Sequence, residues 1–311
     1  MIDFRYHIVS LTAVFLALAV GVILGTSALR GPVLNDLHSR VNSLAQENRT
    51  LRSDLHDVKD RSTQQEQFAA QVAPAVVAGR LAGQTVTVIS GPGGGAGDRD
   101  AVVSYLAAAG AKVVSRVRLA AGLTDPGHSA EIKSLVSQLL PAGVQVPVTP
   151  DGAAQAGALL GSVLVAPAAG APTVAAAGRS AVVQGFASLG LLSVDGTPAE
   201  PADLAVVVAS PPATGAAGKL RNAGLFSFVT QLDAHARRTV VAMSSADGNG
   251  NVVAAIRADD RLVTSLSTVD DVATAAGRVA VVLALVDERR GRSGQYGMAG
   301  GATAGMPALS Q

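Results

Sequence analysis

The sequence predicts an α/β protein in which an N-terminal transmembrane helix and a coiled coil precede a mainly parallel α/β domain. Three observations predict it. An uncharged stretch runs from Ile8 to Leu29 between Arg5 and Arg30, a heptad pattern follows from Leu34, and residues 84–290 alternate short β-branched runs with longer helical patterns. The organisation expected is therefore an anchor over 1–30, a coiled coil over 31–73, an α/β domain over 84–290 and a disordered Gly/Ala-rich tail over 291–311.

The anchor comes first. About 20 apolar residues at a rise of 1.5 Å span a bilayer core, and a helix satisfies its own backbone there. Thr26-Ser27-Ala28 offers a small-residue cleavage site, but the apolar run exceeds the roughly 7–15 residues of a signal peptide, so an uncut anchor is expected. Topology is not fixed by charge, because Arg5 precedes the span while Arg30, Arg40 and Arg49 follow it. Small residues recur at Ala13, Ala17, Gly21 and Gly25, a stripe that lets helix backbones approach closely in lipid.

Leu34, Leu37, Val41, Leu44, Asn48, Leu51, Leu55 and Val58 fall at steps of three and four, the a and d positions of a heptad. Asn48 at an a position favours two strands. In a parallel pair, Glu47 faces Arg52 and Asp54 faces Lys59, both attractive. A homodimer follows; the alternative is one amphipathic helix folded back on its own domain, whose apolar stripe is usually wider. Gly31-Pro32 disfavours a continuous rod between anchor and coil. The helical pattern is expected to fade before Pro74.

In the domain, Thr85–Ser90, Lys112–Val117, Leu204–Ala209 and Thr239–Met243 read as strands, and Asp98–Ala109 and Leu220–Ala236 as helices, the first capped by Asp98. Strands separated by helices imply a mainly parallel sheet with helices on its faces. NVVAAIR and RLVTSLS read as further strands, and Thr268 with Asp271 as the start of a last helix. The run Val279–Val286 is too short to cross a bilayer, so that helix is expected to be buried. Pro141 to Pro201, rich in Ala, Gly and Pro, carries little pattern.

Net charge is +1, which implies no nucleic-acid partner. The absence of Cys excludes disulfides, zinc-thiolate sites and thiol chemistry. Gly91–Asp98, GPGGGAGD, follows a strand and precedes a helix as a dinucleotide loop does, but it departs from GxGxxG and reads as a connector. Asp247-Gly248-Asn249-Gly250-Asn251 imitates a calcium loop, yet Val252 and Ala258 stand where Gly and Glu are needed, so a turn is expected. His7, His38, His56, His128 and His235 show no metal-ligand spacing. No nucleophile, base and orienter can be assembled, so no enzyme and no cofactor are expected.

The opening MIDFRYHIVSLTAVFLALAVGVILG resembles the N-terminus of the mycobacterial copper transport protein MctB family. Phe4-Arg5-Tyr6-His7 with Ser10, Phe15, Leu16, Gly21 and Gly25 carries the resemblance, and the order anchor, coil, domain extends it through the chain. It implies an actinobacterial cell-envelope protein, assigned to the outer membrane, that serves copper efflux and resistance as a pore. The residues alone add little to that mechanism. Copper sites favour Cys, Met and His, whereas Met occurs only at positions 1, 243, 298 and 306; a β-barrel needs repeated strands of about ten residues, whereas the chain shows one helical span. A second reading, from the residues, is a dimeric membrane-anchored scaffold that recruits or regulates an envelope partner.

Overall fold

The computed structural model describes residues 4–94, 96–167, 173–196, 200–245 and 250–309, with side chains of 26–38 and 236 outside the description. The chain divides into two compact units, Met1–Gln65 and Glu66–Gln311.

The first unit is helical throughout its described residues. It belongs to a single helix, α1 (Phe4–Val77), which continues through Gly31-Pro32. The expected break there does not occur: a proline removes one intrahelical bond, and the long helical patterns on both sides carry the helix across that loss. Phe4–Gly25 is long and apolar enough to cross a membrane, and none of it is buried within the chain.

The second unit begins with the end of α1. Ala73 and Val77 are buried with Leu81 in the domain core, so the helix passes Pro74, where sequence periodicity alone predicts its end. Burial of an apolar face outweighs the amide lost at one proline.

The sheet is built next. Strand β1 (Thr85–Ser90) leads through α2 (Ala96–Ala108) to β2 (Lys112–Leu119). Four helices follow: α3 (Ala121–Thr124), α4 (Ser129–Leu139), α5 (Gly152–Leu164) and α6 (Ala176–Ser188). Then come β3 (Leu192–Asp195), β4 (Leu204–Ala209), α7 (Gly215–Ala236) and β5 (Thr239–Met243). The chain closes with α8 (Val252–Arg257), β6 (Ser267–Val269), α9 (Ala275–Arg289) and β7 (Gln295–Tyr296). Strand order is β3-β2-β1-β4-β5-β6-β7. Among the described strands only the edge strand β3 is antiparallel to its neighbour.

Central strands buried on both faces read as continuous apolar runs. LAVVVA in β4 is buried at all six positions. Ala205, Val207 and Ala209 enter one core with α4 to α8, whereas Leu204, Val206 and Val208 enter the other with α2, α9 and the end of α1. The helices α5 and α7 approach so closely that a Cβ on Gly157 would lie 2.2 Å from the Phe228 carbonyl oxygen. On Gly161 it would lie 2.9 Å from the Leu232 carbonyl oxygen, so the small residues of the pattern-poor tract form a helix contact. Asp151 caps α5 by accepting from the amides of Ala153 and Ala154.

Four further expectations are corrected. NVVAAIR is α8 rather than a strand, because the Asn251 side chain accepts from the Ala254 amide at 2.7 Å and caps a helix. RLVTSLS supplies only the short β6 after a 3-10 turn at Leu262–Thr264. Thr268 lies inside β6, and the last helix is capped instead by Thr274, whose hydroxyl accepts from the Gly277 amide. The segment after Gly291 is ordered where described, for β7 joins the sheet beside β6 and Tyr296 bridges to Ala304. Its tertiary hydrogen bonds leave no trace in local periodicity. The expected burial of Val279–Val286 holds, since every one of these residues lies in the core.

Candidate functional site: the crevice at the carboxyl ends of β1 and β4

From β1 the chain crosses to β2 on one side, while β4 lies against the other. The loops leaving β1 and β4 therefore diverge, and in open parallel sheets such a switch point is where ligands settle. A crevice of about 270 Å³ opens there. Pro92 and Gly93 from the loop after β1, Ser210 and Pro211 from the loop after β4, and Arg221 and Leu225 from α7 line it.

Each wall has a local cause. Gly93 has φ +75°, in the left-handed region that favours glycine. A Cβ on Gly94 would come within 3.0 Å of Ser210 Oγ and 3.2 Å of the Gly91 carbonyl oxygen. The Asn222 side chain both donates to the Ala213 carbonyl and accepts from the Ala213 amide, each at 3.0 Å, and so fixes the loop between β4 and α7. On the neighbouring strand, Ser244 Oγ donates to the Asp98 carboxylate. Asp98 thus lies inside the first turn of α2 and ties it to the end of β5; it is not the cap that the sequence predicts.

Two side chains give the crevice its chemistry. Ser210 is buried, and its Oγ has no hydrogen-bond partner among the described residues. Arg221 is partly exposed and stands 4.0 Å from Asp125. The arrangement offers a hydroxyl and a guanidinium on a largely apolar floor. Among the described residues no general base is placed against Ser210 Oγ.

At the opposite, amino ends of the strands lies a buried acidic group. Burial pushes the Asp233 carboxyl up to about 7. Burial likewise pushes Glu288 up to about 8, with the Asp233 charge raising it further and the bonds from Ser267 opposing. Glu288 accepts from the Ser267 amide at 2.9 Å. Among the described residues, no three His, Cys, Asp or Glu side chains converge to hold a metal ion. His56 faces Asp60 at 3.4 Å and His128 faces Glu131 at 3.1 Å.

The residues singled out for oligomerisation lie on α1. Gly21 and Gly25 are exposed, and a Cβ on either would meet nothing within 4 Å. Val41, Leu44, Asn48, Leu51, Leu55 and Val58 are exposed as well, while the side chains of Leu34 and Leu37 lie outside the described residues. Most of the calcium-like loop, Asp247 to Asn249, also lies outside them; Asn251 serves as the α8 cap. The Gly91–Gly94 part of GPGGGAGD is a connector, as expected, but a connector that walls a crevice. Ser210 and Arg221 were not legible as a site, since the only signal was a Ser-Pro step closing a strongly apolar strand.

Among the described residues these features define a class of protein: a mixed α/β chain with one N-terminal helix long and apolar enough to cross a membrane and a mostly parallel seven-stranded sheet. Residues 1–307 match the family model described as "Copper transport outer membrane protein, MctB". The chain belongs to the MctB family. Among its relatives is the copper transporter MctB of Mycobacterium tuberculosis (strain H37Rv), 32% identical over 314 aligned positions that cover 97% of this chain and 98% of that protein. The copper transporter MctB of Mycobacterium leprae (strain TN) shows the same identity and coverage.

Proposed function

We propose that this chain serves copper transport and copper resistance in the cell envelope. The observation that carries the reading is the family match over residues 1–307, together with relatives named copper transporters that align over nearly their whole length. The family description places its members in the outer membrane, and Phe4–Gly25 suits an anchor. Transport through an oligomer of single spans, packed on the Gly21 and Gly25 stripe, is the mechanism that the helix supports.

A second reading is favoured by one specific feature. Val41, Leu44, Leu51, Leu55 and Val58 are more than half exposed on a helix whose heptad suits a parallel pair. A dimeric scaffold that acts on an envelope partner would cover that stripe with a second copy of the chain. One experiment separates the two readings: copper accumulation and cell separation in a strain lacking the protein, complemented with the intact chain or with a Leu44→Asp, Leu51→Asp chain. The transport reading expects excess copper whenever the protein is missing. Normal copper with defective cell separation would favour the scaffold.

A further inference from the structure

We propose that the crevice between the carboxyl ends of β1 and β4 binds a small organic carboxylate with a short apolar body. Four observations converge on it. The crevice lies at the switch point of the sheet, where the loops after β1 and β4 part beyond the Gly91 amide, which donates to the Val208 carbonyl at 2.9 Å. Ser210 is nine-tenths buried at its wall, yet its Oγ is unpartnered among the described residues. Buried hydroxyls are rarely left so, because the lost hydration is uncompensated. A ligand oxygen would complete it.

Arg221 supplies the charge. Its guanidinium lines the same crevice, and its distance of 4.0 Å from Asp125 leaves the planar fork free for a closer, bidentate acceptor. The glycine loop supplies the room, since a side chain at Gly94 would press on both Ser210 Oγ and the Gly91 carbonyl oxygen. Apart from the neutral polar Thr124 and Asn222, the remainder of the lining is apolar, with Pro92, Ala121, Pro211, Ala213 and Leu225 beside Gly93, which suits hydrocarbon rather than a second charge. A volume of about 270 Å³ is below the range usual for cofactor pockets and far too small for a dinucleotide. Carboxylate on Arg221 and Ser210, with a short apolar chain against Leu225 and the prolines, is the chemistry this geometry accepts.

The test uses the full chain in detergent micelles, with isovalerate as probe, isovaleramide as its uncharged counterpart and inorganic phosphate as the anion without an apolar body. Saturation-transfer NMR should show saturable isovalerate binding with a dissociation constant on the order of millimolar. Arg221→Gln should weaken it about tenfold, as loss of a charge-assisted pair does. Asp125→Asn should tighten it, because the competing carboxylate is gone. Ser210→Ala should weaken it with an unchanged melting temperature. Equal binding of isovaleramide, equal binding by the Arg221→Gln chain, or no saturable signal would overturn the proposal. Displacement by phosphate at equal concentration would overturn the choice of a carboxylate with an apolar body.

Discussion

Arg257 and Asp270 meet at 2.8 Å with both side chains 3% exposed. The pair joins α8 to the residue after β6. Arg257 also donates from Nε to Thr268 Oγ1 at 2.9 Å and from Nη2 to the Tyr296 carbonyl at 2.7 Å. Asp270 in turn accepts from the amides of Met298 and Ala299. One ion pair therefore holds the glycine-rich end of the chain on the sheet. Its surplus donors and acceptors are taken up by backbone, which is the condition for a buried pair to be tolerated.

Arg257→Ala should accordingly cost about 3–5 kcal/mol, because it leaves Asp270 buried and uncompensated. The loss should be local before it is global. Hydrogen exchange of the amides at 295–304 should accelerate in the variant while those of β4 stay protected. Equal protection of 295–304 in both chains would show that the pair does not hold the tail.

The buried acids make stability depend on pH in a stated direction. Asp233 is raised to about 7 and Glu288 to about 8, in each case chiefly by burial. The native state therefore keeps protons that the unfolded chain releases near pH 4, so stability is fully present below about pH 4 and falls as pH rises towards about 8. The expected loss is on the order of a few kcal/mol. Melting temperatures of the full chain between pH 5 and pH 8 should fall with pH, and Asp233→Asn with Glu288→Gln should flatten the profile.

The close contact of α5 with α7 sets a third expectation. Gly157→Ala places a methyl group 2.2 Å from the Phe228 carbonyl oxygen, too near for any rotamer change to relieve. The helices must separate, and overpacking of this kind costs about 1–3 kcal/mol. Chemical denaturation should show the change, and Gly97→Ala, where a Cβ meets nothing within 4 Å, serves as the control.

For the helix that precedes the domain, Asn48→Leu should stabilise a paired coil and relax its preference for two strands. Analytical ultracentrifugation of the full chain in detergent should then report species above the dimer. A monomer in both forms would remove the pairing.

Copper itself gives the last expectation. The chain carries no Cys, its Met residues are scattered, and no metal-holding cluster occurs among the described residues. Soft copper ions favour thiolate, thioether and imidazole ligands, so the purified chain should hold copper only weakly. Its part in copper handling would then run through an oligomer or a partner. A tight, stoichiometric site in a competition titration against a chelator would contradict this.

Much of the fold was legible because its strongest elements are local in origin. Thr85–Ser90, Leu204–Ala209 and Thr239–Met243 are β-branched runs buried on both faces, and the structure bounds them at the same residues as the sequence. The apolar run that reads as an anchor is likewise a helix by its own composition. The elements misread are those whose evidence is distant. Asn251 turns NVVAAIR into a helix by capping it, and β7 exists because Thr268 and Val269 offer it an edge. Ser210 and Arg221 are close along the chain, but Pro92 and Gly93, which wall the same crevice, come from the distant loop after β1, so only the folded sheet assembles it.

Composition and periodicity by themselves determined the anchor, the exposed heptad and a parallel α/β core, because each rests on interactions between residues a few positions apart or on the burial demanded by apolar runs. Tertiary structure alone decided strand order, the pairing of Arg257 with Asp270 and the crevice under the glycine loop. Those depend on which surfaces meet after the chain has folded, and a hydrogen bond between residues 118 positions apart, such as that from the Thr85 amide to Asp203, leaves no period in the sequence from which to read it.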